Sequence, residues 1–310
     1  MGKTRLLITG GHGLVGLNIL EHPASSNFEI LAPRSFELNL QNYTSVVDYL
    51  KHNCPDIVIH AAGKVGGIQA NINSPVQFLV ENLDMGRNIV LASRQLGIER
   101  LINLGSSCMY PRNHNDPLSE DLILKGELEP TNEAYALAKV VTAKLCHYVS
   151  RENVTYRYKT LIPCNLYGRH DKFDPIHSHL IPAIIHKIHL AKKSGQDFVE
   201  IWGDGSAKRE FMYAGDLADA IIRAINTFEM LPDIMNIGLG YDYTITEYYQ
   251  AVAGVLGYTG DFVYNISKPV GMSRKLVDVK RLKAWGWEAP TMLRIGIEKT
   301  YDYYVKEFLK

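Results

Sequence analysis

The run Leu6-Leu7-Ile8-Thr9-Gly10-Gly11-His12-Gly13-Leu14-Val15-Gly16 constrains this chain more than any other feature. A short apolar strand passes into glycines spaced G-x-x-G-x-x-G and then into a helical pattern. Glycine lets the backbone turn tightly and approach a pyrophosphate closely, and a helix N-terminus adds free N–H groups and positive potential. A tight turn without ligand uses the same glycines, so the spacing alone is a weak signal. Its place at the first strand makes a dinucleotide the expected ligand, with Gly10, His12, Gly13, Leu14, Val15 and Gly16 as candidate contacts.

The first half of the chain alternates apolar runs with helical patterns: Leu6 to Ile8, a helix near Leu14, Phe28 to Ala32, Asp56 to His60, a helix from about Asn82, and Leu101 to Leu104. That rhythm predicts an α/β fold with a doubly wound parallel sheet. The strand runs are apolar end to end, as expected where helices cover both faces. After a further strand at Tyr156 to Leu161 the pattern loosens. Residues 1–165 are therefore expected to form the dinucleotide-binding domain, with segments from about 205–240 returning to it. Residues 166–310 are expected to form mainly a smaller α+β substrate-binding lobe.

The second strand decides between dinucleotides, because an acid at its tip bonds the ribose 2′-OH of NAD and a cation accommodates a 2′-phosphate. Here it ends Ala32-Pro33-Arg34-Ser35, so NADP is favoured, with Arg34 and His12 as phosphate contacts. Leu104-Gly105-Ser106-Ser107-Cys108 follows the fourth strand, where a nicotinamide would lie. Tyr135 and Lys139 are four apart on a helix and share one face. An ammonium beside the phenol is expected to lower its pKa, which makes Tyr135 a proton donor or acceptor, while Ser106 hydrogen-bonds a carbonyl under reduction. Cys108 and His179 are two further groups able to exchange protons with carbon acids beside a ketone. His170, His177 and His179 with Asp171 and Asp174 match no metal-ligand spacing, so no metal is expected.

Composition excludes other classes. Lys and Arg number 33 against 33 Asp and Glu, a balance unsuited to a dedicated nucleic-acid binder. No stretch reads as a membrane span or a signal-type apolar region. Four cysteines without paired spacing point to reduced thiols and a cytoplasmic location.

The motifs resemble the extended short-chain dehydrogenase/reductases, a Rossmann-fold superfamily, and within it the GDP-L-fucose synthases, nearly end to end. The segments that carry the resemblance are Ala62-Gly63-Lys64-Val65-Gly66-Gly67-Ile68 with Ala70-Asn71, Gly105 to Pro111, Leu128-Glu129-Pro130-Thr131-Asn132-Glu133 leading into Tyr135, Asn165-Leu166-Tyr167-Gly168, Ser178-His179 and Arg209-Glu210-Phe211. The resemblance implies that Ser106, Tyr135 and Lys139 form a reductase triad and that Cys108 and His179 epimerise the carbons flanking a keto group. It implies NADP(H) contacts at Ala62, Gly63, Leu104, Gly105, Ser106, Tyr135, Lys139, Pro163, Asn165, Leu166 and His179. It also implies GDP-sugar contacts at Ser107, Lys187, Trp202 and Arg209, and a homodimer formed through the helices near Asn82 to Gln95 and Glu133 to Arg151.

Three positions depart from that family: His12 and Lys187 stand where it tends to have Arg, and Val270 where it usually has Asp. The implied function is NADPH-dependent C4 reduction of a GDP-4-keto-6-deoxy sugar with epimerisation at C3 and C5. Alternatives are a C4 reductase of a related heptose that does not epimerise, a sugar-nucleotide epimerase or dehydratase, and a non-catalytic NADP-binding regulator.

Overall fold

The computed structural model describes residues 2–174, 178–268 and 272–309. β1 (Arg5–Thr9) feeds α1 (Leu14–Leu20), followed by β2 (Glu29–Leu31), α2 (Tyr43–Asn53), β3 (Ile57–His60), α3 (Ile68–Asn73), α4 (Pro75–Gln95), β4 (Arg100–Leu104), α5 (Glu133–Glu152) and β5 (Arg157–Pro163). Next come β6 (Asn165–Tyr167), α6 (Leu180–Ser194), β7 (Phe198–Trp202), β8 (Lys208–Arg209), β9 (Phe211–Tyr213), α7 (Ala214–Asn226) and β10 (Ile234–Ile237). β11 (Tyr243–Thr244), α8 (Ile245–Leu256), β12 (Asp261–Asn265), β13 (Arg274–Lys275), α9 (Lys280–Ala284) and α10 (Leu293–Phe308) follow.

The main sheet is parallel throughout, in the order β10-β5-β4-β3-β1-β2. Alternate residues of each strand feed opposite cores. Leu6, Ile8, Ile57, Ile59 and Ile102 pack toward α1 and α7, and Leu7, Val58 and Leu101 toward α2, α4 and α5. Burying each such side chain contributes about 1.5–3 kcal/mol, which is why the strands are apolar on both faces. The chain reverses direction of travel across the sheet beside β1, and a crevice at the strand carboxyl ends follows from that topology.

α4 begins at Pro75, seven residues before the expected start, because proline is pre-shaped for the first helical turn. It lies tightly on α5: a Cβ on Gly86 would meet Thr142 Oγ1 at 2.1 Å. α7 and β10 return to the first core, and so do Val277, Leu282, Trp285 and Trp287 from still later in the chain. A second core gathers Phe173, Ile181, Ile184, Ile188, Val199, Tyr248, Val252 and Tyr304 from α6, β7, α8 and α10. No helix among the described residues is long and apolar enough to cross a membrane.

Candidate active site

A cavity of about 890 Å³ opens at the carboxyl ends of β1, β3, β4 and β5. Its floor is the glycine turn. Gly10 has φ +71°, and a Cβ there would sit 2.7 Å from the Ala62 backbone; one on Gly16 would sit 2.4 Å from the Gly10 carbonyl. Gly13 opens α1 with no side chain capping the first turn, leaving that end approachable by a diphosphate. Gly10, His12, Gly13, Leu14, Val15, Arg34, Ala62 and Gly63 all line the cavity. The acid nearest the β2 tip, Glu37, turns its carboxylate onto the Arg34 backbone N–H at 2.7 Å, and the Arg34 side chain is exposed. His12 Nε2 meets the Ala32 carbonyl at 3.1 Å. These residues fit a dinucleotide bearing a 2′-phosphate.

Ser106, Ser107 and Cys108 leave β4 into a short helical turn, and Ser106 Oγ accepts from the Cys108 backbone N–H at 3.3 Å. Tyr135, in the first turn of α5, is hydrogen-bonded to Ser106 and faces the same space. Its phenol is not activated as the spacing suggested. Burial pushes its pKa up, the neighbouring Cys108 adds to this, and the Ser106 hydrogen bond opposes it only in part. The reason is geometric: the Lys139 ammonium stands 5.9 Å from the Tyr135 ring centroid and donates to the Leu104 carbonyl at 3.0 Å. Lys139 is itself buried, which brings it down to about 8. Beneath it, His60 is buried and held to about 3, first by desolvation and then by Lys139, with Thr9 Oγ1 at 2.8 Å from its Nδ1.

Cys108 Sγ accepts from Asn132 Nδ2 at 3.2 Å and from Lys275 Nζ at 3.4 Å. His179 caps α6 and places Nδ1 3.4 Å from Asp171 Oδ1. That bond holds the imidazole above its ordinary value against the effect of burial. Pro163, Asn165, Leu166, His179 and Arg209 complete the expected lining. Burial lowers the Arg209 guanidinium somewhat while Glu129 opposes this. The site thus brings a neutral phenol, a thiol, an imidazole and cations to one cavity.

A family model described as the NAD dependent epimerase/dehydratase family matches residues 6–238. The chain belongs to this family. GDP-L-colitose synthase of Yersinia pseudotuberculosis is 55% identical to this chain over 303 residues, 98% of each chain. GDP-L-fucose synthase of Azorhizobium caulinodans is 51% identical over 306 residues, again 98% of both. Among solved structures, a GDP-mannoheptose C4 reductase from Campylobacter jejuni with NADP bound matches with TM-score 0.88 and 29% identity, over 98% of this chain and 99% of that one.

Some expected residues stand apart from the cavity wall. Gly16, Leu104, Gly105 and Lys139 support it from behind. Lys187, on α6, and Trp202, at the end of β7, lie outside the lining. Lys187 donates to the Glu200 carbonyl and stacks 6.0 Å from the Tyr249 ring, and Trp202 is 56% exposed with Lys268 5.5 Å above it. Val270 and His177 fall outside the described residues. Among the described residues, no group of three or more His, Cys, Asp or Glu is arranged to hold a metal ion. Three contacts are not readable from the sequence: Asn132 and Lys275 at the thiol, and Asp171, weighed above only as a metal ligand, at the imidazole. Asn132 lies inside a quoted motif, but β13 brings Lys275 in beside Arg209 of β8 across a span that no local pattern reveals.

Proposed function

We propose that this protein reduces the C4 ketone of a GDP-4-keto-6-deoxy sugar with NADPH after moving protons at the flanking carbons, C3 and C5. The observation that carries this is the convergence of Ser106, Tyr135, Cys108 and His179 on one cavity that also holds the glycine turn and Arg34. Bound NADPH supplies the hydride for C4. The Tyr135 phenol, kept neutral by burial, donates its proton to the C4 oxygen, and Ser106 orients that oxygen by hydrogen bonding. The ketone acidifies C3 and C5, where Cys108 and His179 take and return protons. Arg209 pairs with the diphosphate, and the outer face bearing Lys187 and Trp202 receives the nucleotide end.

Residues 1–165, joined by later segments, serve the cofactor, and the smaller lobe serves the sugar nucleotide. The protein acts in the cytoplasm. Two copies pair through α4 and α5, whose exposed Val76, Val80, Leu137, Val141 and Tyr148 need cover. A C4 reductase of a related heptose that leaves C3 and C5 untouched is the second reading, supported by the C. jejuni structure's own name.

The test is incubation with GDP-4-keto-6-deoxy-D-mannose and NADPH in D₂O, followed by product mass and ring stereochemistry. NADPH consumption with deuterium at both C3 and C5 is expected. Consumption without solvent deuterium would leave a simple C4 reductase. If NADPH is bound but not consumed, the sugar is wrong and the heptose analogue is next.

A further inference from the structure

The imidazole of His179 has a partner whose design exceeds what folding requires. Asp171 is buried, its side chain 4% exposed against 42% for His179, and both residues border the cavity. Its Oδ1 accepts from the Lys172 backbone N–H at 2.8 Å and meets His179 Nδ1, while Oδ2 is buried with no hydrogen-bond partner. A half-satisfied buried carboxylate costs stability, and a hydrophobic side chain would fill the same space without that cost.

The loop that presents it is held from both lobes. His170 adopts φ +68°, a left-handed conformation disfavoured for a residue with a Cβ. It is kept there by Glu21 Oε1 at 2.7 Å and by the Tyr303 ring, whose centroid lies 4.9 Å away. Glu21 follows α1 and Tyr303 lies in α10, so the position of Asp171 is set by the whole fold.

We propose that Asp171 is the positioning residue for His179, fixing its tautomer and orientation so that Nε2 exchanges the proton with the sugar carbon. This rests on the epimerase reading above. A carboxylate oxygen only accepts, so Nδ1 keeps its proton and Nε2 is the atom free to transfer one. On protonation of the carbon, the enolate electron pair forms the new C–H bond, Nε2 gives up its proton, and the imidazolium becomes a neutral ring still bonded to Asp171 through Nδ1. The charged groups that act on His179 are Asp171, which favours the imidazolium, and Lys172, which opposes it.

The test combines NMR of ¹⁵N-histidine protein, with His179 signals assigned by His179→Gln, and deuterium uptake from D₂O across pH. In the wild type, neutral His179 is expected as the Nδ1–H tautomer, titrating above the ordinary histidine value; the Nε2–H tautomer would overturn the proposal without any variant. Asp171→Asn keeps an oxygen for the Lys172 N–H and removes the charge. It should move the His179 titration and the alkaline limb of deuterium uptake to lower pH and cut uptake more than tenfold, with Asp171→Glu recovering part of it. An unmoved limb in Asp171→Asn, with uptake intact in the wild type, overturns this proposal alone. No uptake by the wild type overturns the epimerase reading and this proposal with it.

Discussion

The ammonium of Lys275 lies 3.4 Å from the sulfur of Cys108, across 167 positions of sequence. With Asn132 on the same sulfur, two donors aim it into the cavity. Hydrogen bonds involving a charged group are worth about 1.5–3 kcal/mol. Lys275→Met should therefore slow solvent exchange at the carbon that Cys108 serves by roughly tenfold to a hundredfold. Deuterium uptake measured site by site in the product checks this; equal slowing at both carbons and of hydride transfer would point to lost substrate binding instead.

Tyr135→Phe removes the proton donor and keeps the ring. Reduction should fall by roughly 10²- to 10⁴-fold, the usual worth of general acid catalysis. Solvent exchange at C3 and C5 should continue, because Cys108 and His179 are intact. Single-turnover NADPH oxidation read beside deuterium uptake separates the two, and unchanged oxidation would remove Tyr135 from its assigned role.

Lys139 carries its charge below about 8 and loses it as pH rises through that value. The reductive half should decline on the alkaline side with an apparent midpoint near 8. Arginine stays charged through this range, so Lys139→Arg should flatten that limb even if its maximal rate is lower. A pH profile of kcat with wild type and variant tests it.

His60 links pH to stability. Its folded value of about 3 lies below the ordinary 6.5, so the unfolded chain binds the extra proton between those limits. Stability should thus be lost as pH falls below about 6.5, by about 2 kcal/mol from this group between pH 7 and 5. Urea unfolding at the two pH values, for wild type and His60→Gln, should show a smaller pH difference in the variant.

The exposed face of α5 offers Leu137 and Val141 one turn apart. Val141→Glu should convert a dimer into monomers with little change in thermal stability of the fold. Light scattering after size exclusion measures this, and a wild-type monomer would end the pairing scheme.

The glycine turn, the β4 tip and the Tyr135–Lys139 pair were legible because each is local: strand end, turn chemistry and helical spacing place them without knowledge of distant chain. The phenol's protonation departs from the expectation for the same reason. Spacing puts Lys139 on the right helical face but is blind to the Leu104 carbonyl that takes its ammonium and to the burial that dominates Tyr135. Lys275 and Asp171 were not legible as partners, since one arrives by pairing of two-residue strands and the other by a loop braced on α1 and α10. α4 starts earlier than its spacing suggests because Pro75 is pre-shaped for a first helical turn, and Val76, Phe78, Leu79 and Val80 continue the helix from there.

The sixth strand of the main sheet, β10, ends at Ile237, and Trp285 and Trp287 still join its core afterwards. A ribosome making this chain must therefore release most of it before the main sheet is complete. Until then β5, paired with β4 on one side, leaves its other side as an open edge carrying Leu161 and Ile162. A protein cut after residue 165 would carry that edge permanently and should aggregate, so the main sheet cannot be parted from the chain that follows it.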